Sequence, residues 1–292
     1  MPLIIDRRSF LRSSLQGAAS VAISSRFALS RSGQEARWAL LSDTHIAADK
    51  ADEYRGFRPH TNLSQALAQL QTVSFDMVLI NGDLARSEGT AGDYEMLSEY
   101  LASVTENHSL AITLGNHDDR KNARAALASI NGDVQHVEKK LVTAIDSELA
   151  TFLLLDSLMV TNIAAGQLGA SQRKWLADYL QQNRSKPIVI FVHHNLDPDD
   201  DAALVDSGQF LQIVRPARNV KAIFYGHTHA WAHTSREGLH LVNIPATGYN
   251  FKDSEPVGWT DAAFTKSGVS LKLNAFAGNT IKNGETVKLP WR

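Results

Sequence analysis

The sequence predicts a layered α/β fold. From Arg37 onward, short apolar runs alternate with longer segments whose apolar residues recur at helical spacing, and each apolar run ends at a polar loop. Carboxylate, amide and imidazole side chains stand directly after those runs, where open α/β sheets place their ligands.

Taken in order, WALLS (38–42) is the first predicted strand, and 64–72, with Leu63, Leu67 and Leu70 on one face, is a helix. MVLIN (77–81) is the next strand, a helix follows over 94–104, and SLAITLGN (109–116) gives a third strand. The segments 137–145 and 150–155 read as an antiparallel pair joined near 146–148. A helix over 172–182 buries Trp175, Leu176, Tyr179 and Leu180, and Pro187 then marks a sharp stop. The unbroken apolar run in IVIFVH (188–193) predicts a strand covered on both faces. The acidic stretch LDPDDDAALVD (196–206) reads as a solvated loop, with a lid beside the site as the other reading. VKAIFYGHTH (220–229) is another buried strand ending in histidines. The C-terminal runs LHLVNIPATG, VSLKLNAF and ETVKL are expected to complete a second sheet, making residues 31–292 one domain.

The first 30 residues differ in character. Asp6-Arg7-Arg8-Ser9-Phe10-Leu11-Arg12 precedes the mildly apolar LQGAASVAISSRFALS, which resembles a twin-arginine export signal. The stretch is too short, and too interrupted by Ser and Arg26, to span a membrane stably. The expectation is export to the periplasm or beyond by the twin-arginine machinery, with an N-terminal tail as the plainer reading. The chain has no Cys, so no disulfide supports it there. Formal charge is −2, which gives no electrostatic reason to expect a nucleic-acid polymer or a membrane surface as partner.

The chemistry lies in five short contexts. LSDTH places Asp43 and His45 one residue apart, so on an extended chain both side chains share a side and could hold one divalent ion. In NGDL, Gly82 permits a tight turn that lifts Asp83 over the sheet edge, and a carboxylate has two oxygens with which to bridge two cations. GNHDD offers the neutral amide of Asn116 beside His117, which is suited to giving a proton or hydrogen bond to an ester oxygen. VHH offers His193 and His194, which point opposite ways if the strand persists, so one of the two is the ligand. GHTH repeats the D-x-H spacing with His227 and His229.

Each context alone has a plainer explanation as a cap, a turn or a surface histidine. Together they do not, because every one follows an apolar run. A structural metal site would gather four ligands in a compact cluster, often with Cys, whereas these run from 43 to 229 and only a fold can assemble them.

The ordered set D-x-H, G-D, G-N-H-D, H-H and G-H-T-H resembles the calcineurin-like metallophosphoesterase superfamily, in particular its bacterial cyclic-nucleotide and glycerophosphodiester phosphodiesterases. The resemblance covers about residues 37–250, and LLLDS (153–157) and GQLGASQRKWL (166–176) are also similar to family segments. It implies a four-layer α/β/β/α sandwich with two mixed sheets and two divalent or mixed-valence metal ions. By position, Asp43, His45, Asp83 and His229 would hold one ion, and Asp83, Asn116, His193 and His227 the other. His117 matches the family's catalytic histidine, and His194 stays open as the alternative to His193. Mixed oxygen and nitrogen donors suit Mn, Fe or Zn. The implied reaction is hydrolysis of a small phosphate ester, most readily a diester, by metal-activated hydroxide. A phosphomonoesterase or protein phosphatase with the same metals is the alternative, and a nonenzymatic scaffold another. Asn195 stands where related phosphodiesterases often have proline, which bears on the subclass. Tyr54, Arg55, Phe57 and Arg58, with Tyr249, Asn250 and Phe251, are candidate substrate walls.

Overall fold

The computed structural model describes residues 34–127 and 132–292. The export-signal reading of the first 30 residues lies outside them. No helix among the described residues is long and apolar enough to cross a membrane.

Strand β1 (Ala36–Leu41) is buried on both faces because its side chains alternate between two apolar layers. Trp38 and Leu40 enter the layer between the sheets, while Ala39 and Leu41 face a helical layer. Helix α1 (Pro59–Leu70) starts at Pro59, whose fixed φ and missing N–H suit a first turn, and it buries Leu63, Ala66, Leu67 and Leu70. It begins five residues before the predicted start at 64. Strand β2 (Met77–Asn81) follows, and then helix α2 (Ala91–Thr105). A reciprocal capping box between Thr90 and Asp93 fixes the start of α2. Strand β3 (Ser109–Thr113) and the short helix α3 (Arg120–Ala126), capped by Asp119, complete this half.

The second half opens with β4 (Asp133–Gln135), β5 (Val142–Asp146) and β6 (Thr151–Leu154), the last two antiparallel as predicted. Helix α4 (Gly169–Gln182) seats Leu176 and Leu180 fully, and Trp175 and Tyr179 partly, against the sheet. Strand β7 (Ile188–Phe191) sends Val189 and Phe191 to one layer and Ile188 and Ile190 to the other, which explains its unbroken apolar run. Helix α5 (Ser207–Val214), β8 (Val220–Tyr225), β9 (Ala232–Arg236) and β10 (Leu239–Asn243) follow. Strands β11 (Pro256–Thr265), β12 (Gly268–Gly278) and β13 (Thr286–Pro290) end the chain.

Among the described residues the strands form two mixed sheets, ordered β13-β12-β11-β1-β2-β3 and β4-β5-β6-β7-β8-β10-β9. Trp38, Phe152, Phe191, Phe224 and Phe264 pack between them. Separate apolar layers lie under α1 and α2 on one side and under α4 and α5 on the other, so the architecture is an α/β/β/α sandwich.

The C-terminal expectation needs correction. Only Leu239–Asn243 joins the second sheet, by lying parallel to β8. The last three strands return to the first sheet, where β11 pairs antiparallel with β1 from Ala36↔Phe264 to Leu40↔Thr260. The open edge of β1 is what they cover, and Arg37 clamps that pairing by donating from Nε to Asp261 Oδ1 at 2.9 Å.

Parallel β1, β2 and β3, and parallel β6, β7 and β8, bring their carboxyl ends to one rim. All the candidate ligands lie just beyond those ends.

Candidate metal centre

Five of the seven candidate ligands have left-handed backbones: Asp43 (φ 52°), His45 (φ 47°), Asp83 (φ 48°), His227 (φ 67°) and His229 (φ 52°). Such a φ costs a non-glycine residue on the order of 1–3 kcal/mol and persists only where surroundings over-determine it. Backbone hydrogen bonds do so here: Asp43 N donates to Gly82 O at 3.0 Å and His45 N to Asp83 O at 3.0 Å. The extended geometry expected for Asp43-Thr44-His45 is therefore replaced by a kinked one. The two residues still face one centre, where their ligand atoms meet that of His229. His227 and His229 repeat the pattern, so the similarity of D-x-H and H-x-H extends to backbone conformation.

Glycines make the close approach feasible. Gly82 (φ 81°) starts the turn that presents Asp83, and a Cβ there would lie 2.8 Å from His193 Cβ. A Cβ on Gly115 would lie 2.7 Å from His193 Nε2.

The ligand atoms converge in three overlapping groups: Asp43, His45 and His229; His45, Asp83 and His117; and Asp83, His193 and His227. Within each, the atoms lie within 4.8 Å of one another. Asp83 Oδ2 sits 3.3 Å from His193 Nε2 and 3.7 Å from His45 Nε2, so this carboxylate faces both halves of the site. Asp43 Oδ1 lies 3.2 Å from His229 Nε2. Its Oδ2 accepts from His227 N at 3.1 Å and from the hydroxyl of Ser42.

The far side of each imidazole fixes its tautomer. His45 Nδ1 donates to Arg86 O at 3.3 Å, His193 Nδ1 to Asn81 O at 2.8 Å and His229 Nδ1 to Tyr249 O at 2.6 Å. A carbonyl only accepts, so Nδ1 carries a proton and Nε2 is the atom turned inward, the usual arrangement behind metal-ligating histidine.

His194 is arranged differently. Its Nδ1 meets Ser157 Oγ at 2.7 Å and its Nε2 donates to Ala164 O at 3.1 Å, so both ring nitrogens are engaged away from the carboxylates. The two adjacent rings stand at 90°, with His193 turned toward Asp43 and Asp83.

Three side-chain atoms of the candidate ligands are buried without a hydrogen-bond partner: Asp43 Oδ1, Asn116 Oδ1 and His193 Nε2. All three are electron-pair donors. Leaving buried polar groups unpaired costs about 1–3 kcal/mol each, and cations bound among them would remove that cost. With no sulfur and a mixture of carboxylate, amide and imidazole, the donor set fits divalent or mixed-valence Mn, Fe or Zn better than Ca. The residues thus form a candidate dinuclear centre that suits metal-activated hydrolysis.

Electrostatics agree. Burial opposes charge on His193, yet the carboxylates of Asp83 and Asp43 outweigh it and lift the pKa to about 10, so without a cation the ring also carries a proton on Nε2, which a bound cation would displace. Burial alone would raise the Asp43 and Asp83 carboxyls, but neighbouring histidines hold both below the usual carboxylate range. Burial lowers His45 to about 3 and His227 to about 4, so both stay neutral and keep lone pairs available.

His117 belongs to the same cluster. Its backbone N donates to Asp83 Oδ1 at 2.9 Å, and its Nδ1 donates to Ser87 O at 3.0 Å, which aims Nε2 toward His45 and Asp83.

Several supporting residues escape sequence reasoning. Asp118 accepts from Leu84 N, Ala85 N, Gly115 N and the Tyr94 hydroxyl, tying together the loops that carry Asp83 and Asn116. Burial and the Asp83 charge raise its pKa to about 6. Asn81 joins the sheets by donating from Nδ2 to Val192 O at 3.2 Å. The signal available in the sequence is a polar residue closing an apolar strand, as in MVLIN. Arg55 and Arg58, named above as candidate substrate walls, pair with Asp253 and Glu53 on the surface.

The family model for calcineurin-like phosphoesterases matches residues 36–231. The chain is 29% identical over 219 residues to a 3′,5′-cyclic adenosine monophosphate phosphodiesterase of Haemophilus influenzae, covering 73% of this chain and 76% of that protein. A 3′,5′-cyclic-nucleotide phosphodiesterase of Nostoc is 26% identical over 228 residues, covering 73% and 79%. In fold, the chain is similar to a dimetal phosphatase from Danio rerio, with a TM-score of 0.66 at 13% identity over 88% of this chain and 99% of that one. With the family model matching more than half of the chain and every candidate ligand, the chain belongs to the calcineurin-like phosphoesterase family.

Proposed function

We propose that this protein hydrolyses a small phosphodiester at a two-metal centre. Asp43, His45, Asp83 and His229 would hold one ion, and Asp83, Asn116, His193 and His227 the other. The observation that carries this reading is the convergence of the Asp43, His45, Asp83, His193, His227 and His229 ligand atoms in overlapping groups, with Asp43 Oδ1 and His193 Nε2 buried and unpartnered among them. The similarity to cyclic-nucleotide phosphodiesterases supports a diester.

Two ions held there would supply charge neutralisation for phosphate oxygens and make a water more acidic. The chain's own residues do the rest. Carbonyls behind His45, His193 and His229 lock their lone pairs inward, so the site is preorganised at the cost of strained backbone. Asp83 couples the halves and, through Oδ1, fixes the His117 backbone. His117, with Nδ1 committed to Ser87 O, can carry a proton on Nε2 and give it to the leaving alkoxide. No covalent enzyme intermediate is required.

The testing experiment is a panel of mono-, di- and cyclic phosphate esters assayed with protein loaded with Mn, Fe or Zn. The expected result is a kcat/KM for diesters at least about tenfold above that for monoesters, a difference of about 1.4 kcal/mol. A reversed preference would make the protein a phosphomonoesterase, and hydrolysis of none would leave a scaffold.

We also propose export to the periplasm by the twin-arginine route, on the Arg7-Arg8-Ser9-Phe10-Leu11 sequence. Arg7→Lys with Arg8→Lys should retain the protein inside the cell; normal secretion of that variant would exclude the route.

A further inference from the structure

The rim beside His45 and His229 carries three aromatic rings that the chemistry above does not use. Phe251 lies flat on the His229 ring, with centroids 4.0 Å apart and planes at 21°, and it is 45% exposed. Tyr249 is buried and packs on His45 at 4.6 Å and on His229 at 4.8 Å. Tyr54 meets Tyr249 at 4.7 Å and is 40% exposed. A continuous aromatic surface thus runs outward from two candidate metal ligands, buried at its centre and open at both outer rings.

The outer rings are held in place. Tyr54 begins a two-residue turn in which Tyr54 N donates to Phe57 O and Phe57 N donates to Tyr54 O, both at 2.9 Å. Arg55 (φ 55°) and Gly56 (φ 79°) give this turn the left-handed pair of a tight hairpin. Behind Tyr54, the Arg86 guanidinium stacks 4.9 Å from the ring centroid and is pinned by Asp52 at 2.8 Å. Phe251 is fixed on its inner face by His229. Preorganised rings lose little freedom when a ligand arrives, and flat open faces favour a planar, π-faced partner.

We propose that Tyr54 and Phe251 are specificity-determining residues that stack a planar aromatic group of the phosphate ester while its phosphate lies at the metal ligands. This deepens the phosphoesterase reading and rests on it for the placement of the phosphate. Tyr249 acts as a positioning residue: its ring supports both outer rings, and its carbonyl holds His229.

The test is calorimetric binding to the full, Mn-loaded protein of two monoesters that differ by a base, adenosine 5′-monophosphate and ribose 5-phosphate. Base–aromatic stacking predicts that the wild-type protein binds the nucleotide about tenfold more tightly or better. Tyr54→Ala and Phe251→Ala should each lower that ratio several-fold and the double variant bring it close to one, with ribose 5-phosphate affinity unchanged. Tyr54→Phe should keep the ratio. Both positions are partly exposed, so thermal melts of the variants should match wild type. A wild-type ratio near one, or an unchanged ratio in the double variant, would overturn the proposal. Hydrolysis of small aliphatic esters is measured in parallel. Its loss in every form, with the binding ratio intact, would sink the phosphoesterase reading and leave the aromatic platform standing; retained hydrolysis without the ratio would do the reverse.

Discussion

His45 Nε2 and His229 Nε2 face each other at 3.2 Å, and each ring donates its Nδ1–H to a backbone carbonyl. Two lone pairs therefore point at one another in a buried space beside Asp43 and Asp83. That arrangement is favourable once a cation lies among them. Adding Mn, Fe or Zn to chelator-treated protein should raise the melting temperature, since an ion at 100 times its Kd adds about 2.7 kcal/mol of stability. Identical melting curves with and without metal would contradict this.

His117 is expected to act on the ester and not on the ions. His117→Gln should lower kcat by about 10²–10⁴-fold while both ions remain bound. Elemental analysis alongside turnover checks it, and a metal-depleted variant would assign the residue to ligation.

The two adjacent histidines should separate cleanly. His193→Ala removes a lone pair aimed at Asp83 and should deplete one ion. His194→Ala should keep both, because its nitrogens serve Ser157 and Ala164. The latter should cost stability on the order of 1–3 kcal/mol for the polar groups left unpaired. Metal content and urea melts of both variants decide the matter; depletion in His194→Ala alone would reverse the assignment.

Lys140 gives a stability signature in alkali. Burial lowers its pKa from 10.5 to about 8, against the attraction of Asp156. The unfolded chain therefore holds more protons than the native one between about pH 8 and 10.5, so this group makes the protein more stable as pH rises through that window. Below about pH 8 both states are charged and it contributes no slope. Unfolding free energies of wild type and Lys140→Met should converge or diverge accordingly between pH 8 and 10, with the wild type gaining; parallel curves would refute the assignment.

Much of this site is legible in the sequence because its ligands follow apolar runs, and such runs become strands whose carboxyl ends meet. The layered class follows from the same alternation. What escapes has physical causes. Left-handed φ values at Asp43, His45, Asp83, His227 and His229 run against intrinsic preference and are imposed by contacts far along the chain. Asp118 acts through backbone partners that no local pattern reveals, and for Asn81 the polar end of MVLIN marks the residue but not its partner on the other sheet. The pairing of β11 with β1 links residues more than 200 apart, while Pro256 and Gly258 blur the strand signal of β11. Helix α1 begins at Pro59, ahead of the apolar spacing of Leu63, Leu67 and Leu70 that marks it in the sequence.

Asp83 is the residue on which the two halves of the centre depend, since its Oδ2 faces His193 and His45 together. Calorimetric titration of Mn into metal-free wild-type and Asp83→Ala protein tests this most directly. Two ions per chain in the wild type, and fewer than one in the variant, are predicted; two ions bound to Asp83→Ala with undiminished affinity, or none bound to the wild type, would contradict the account.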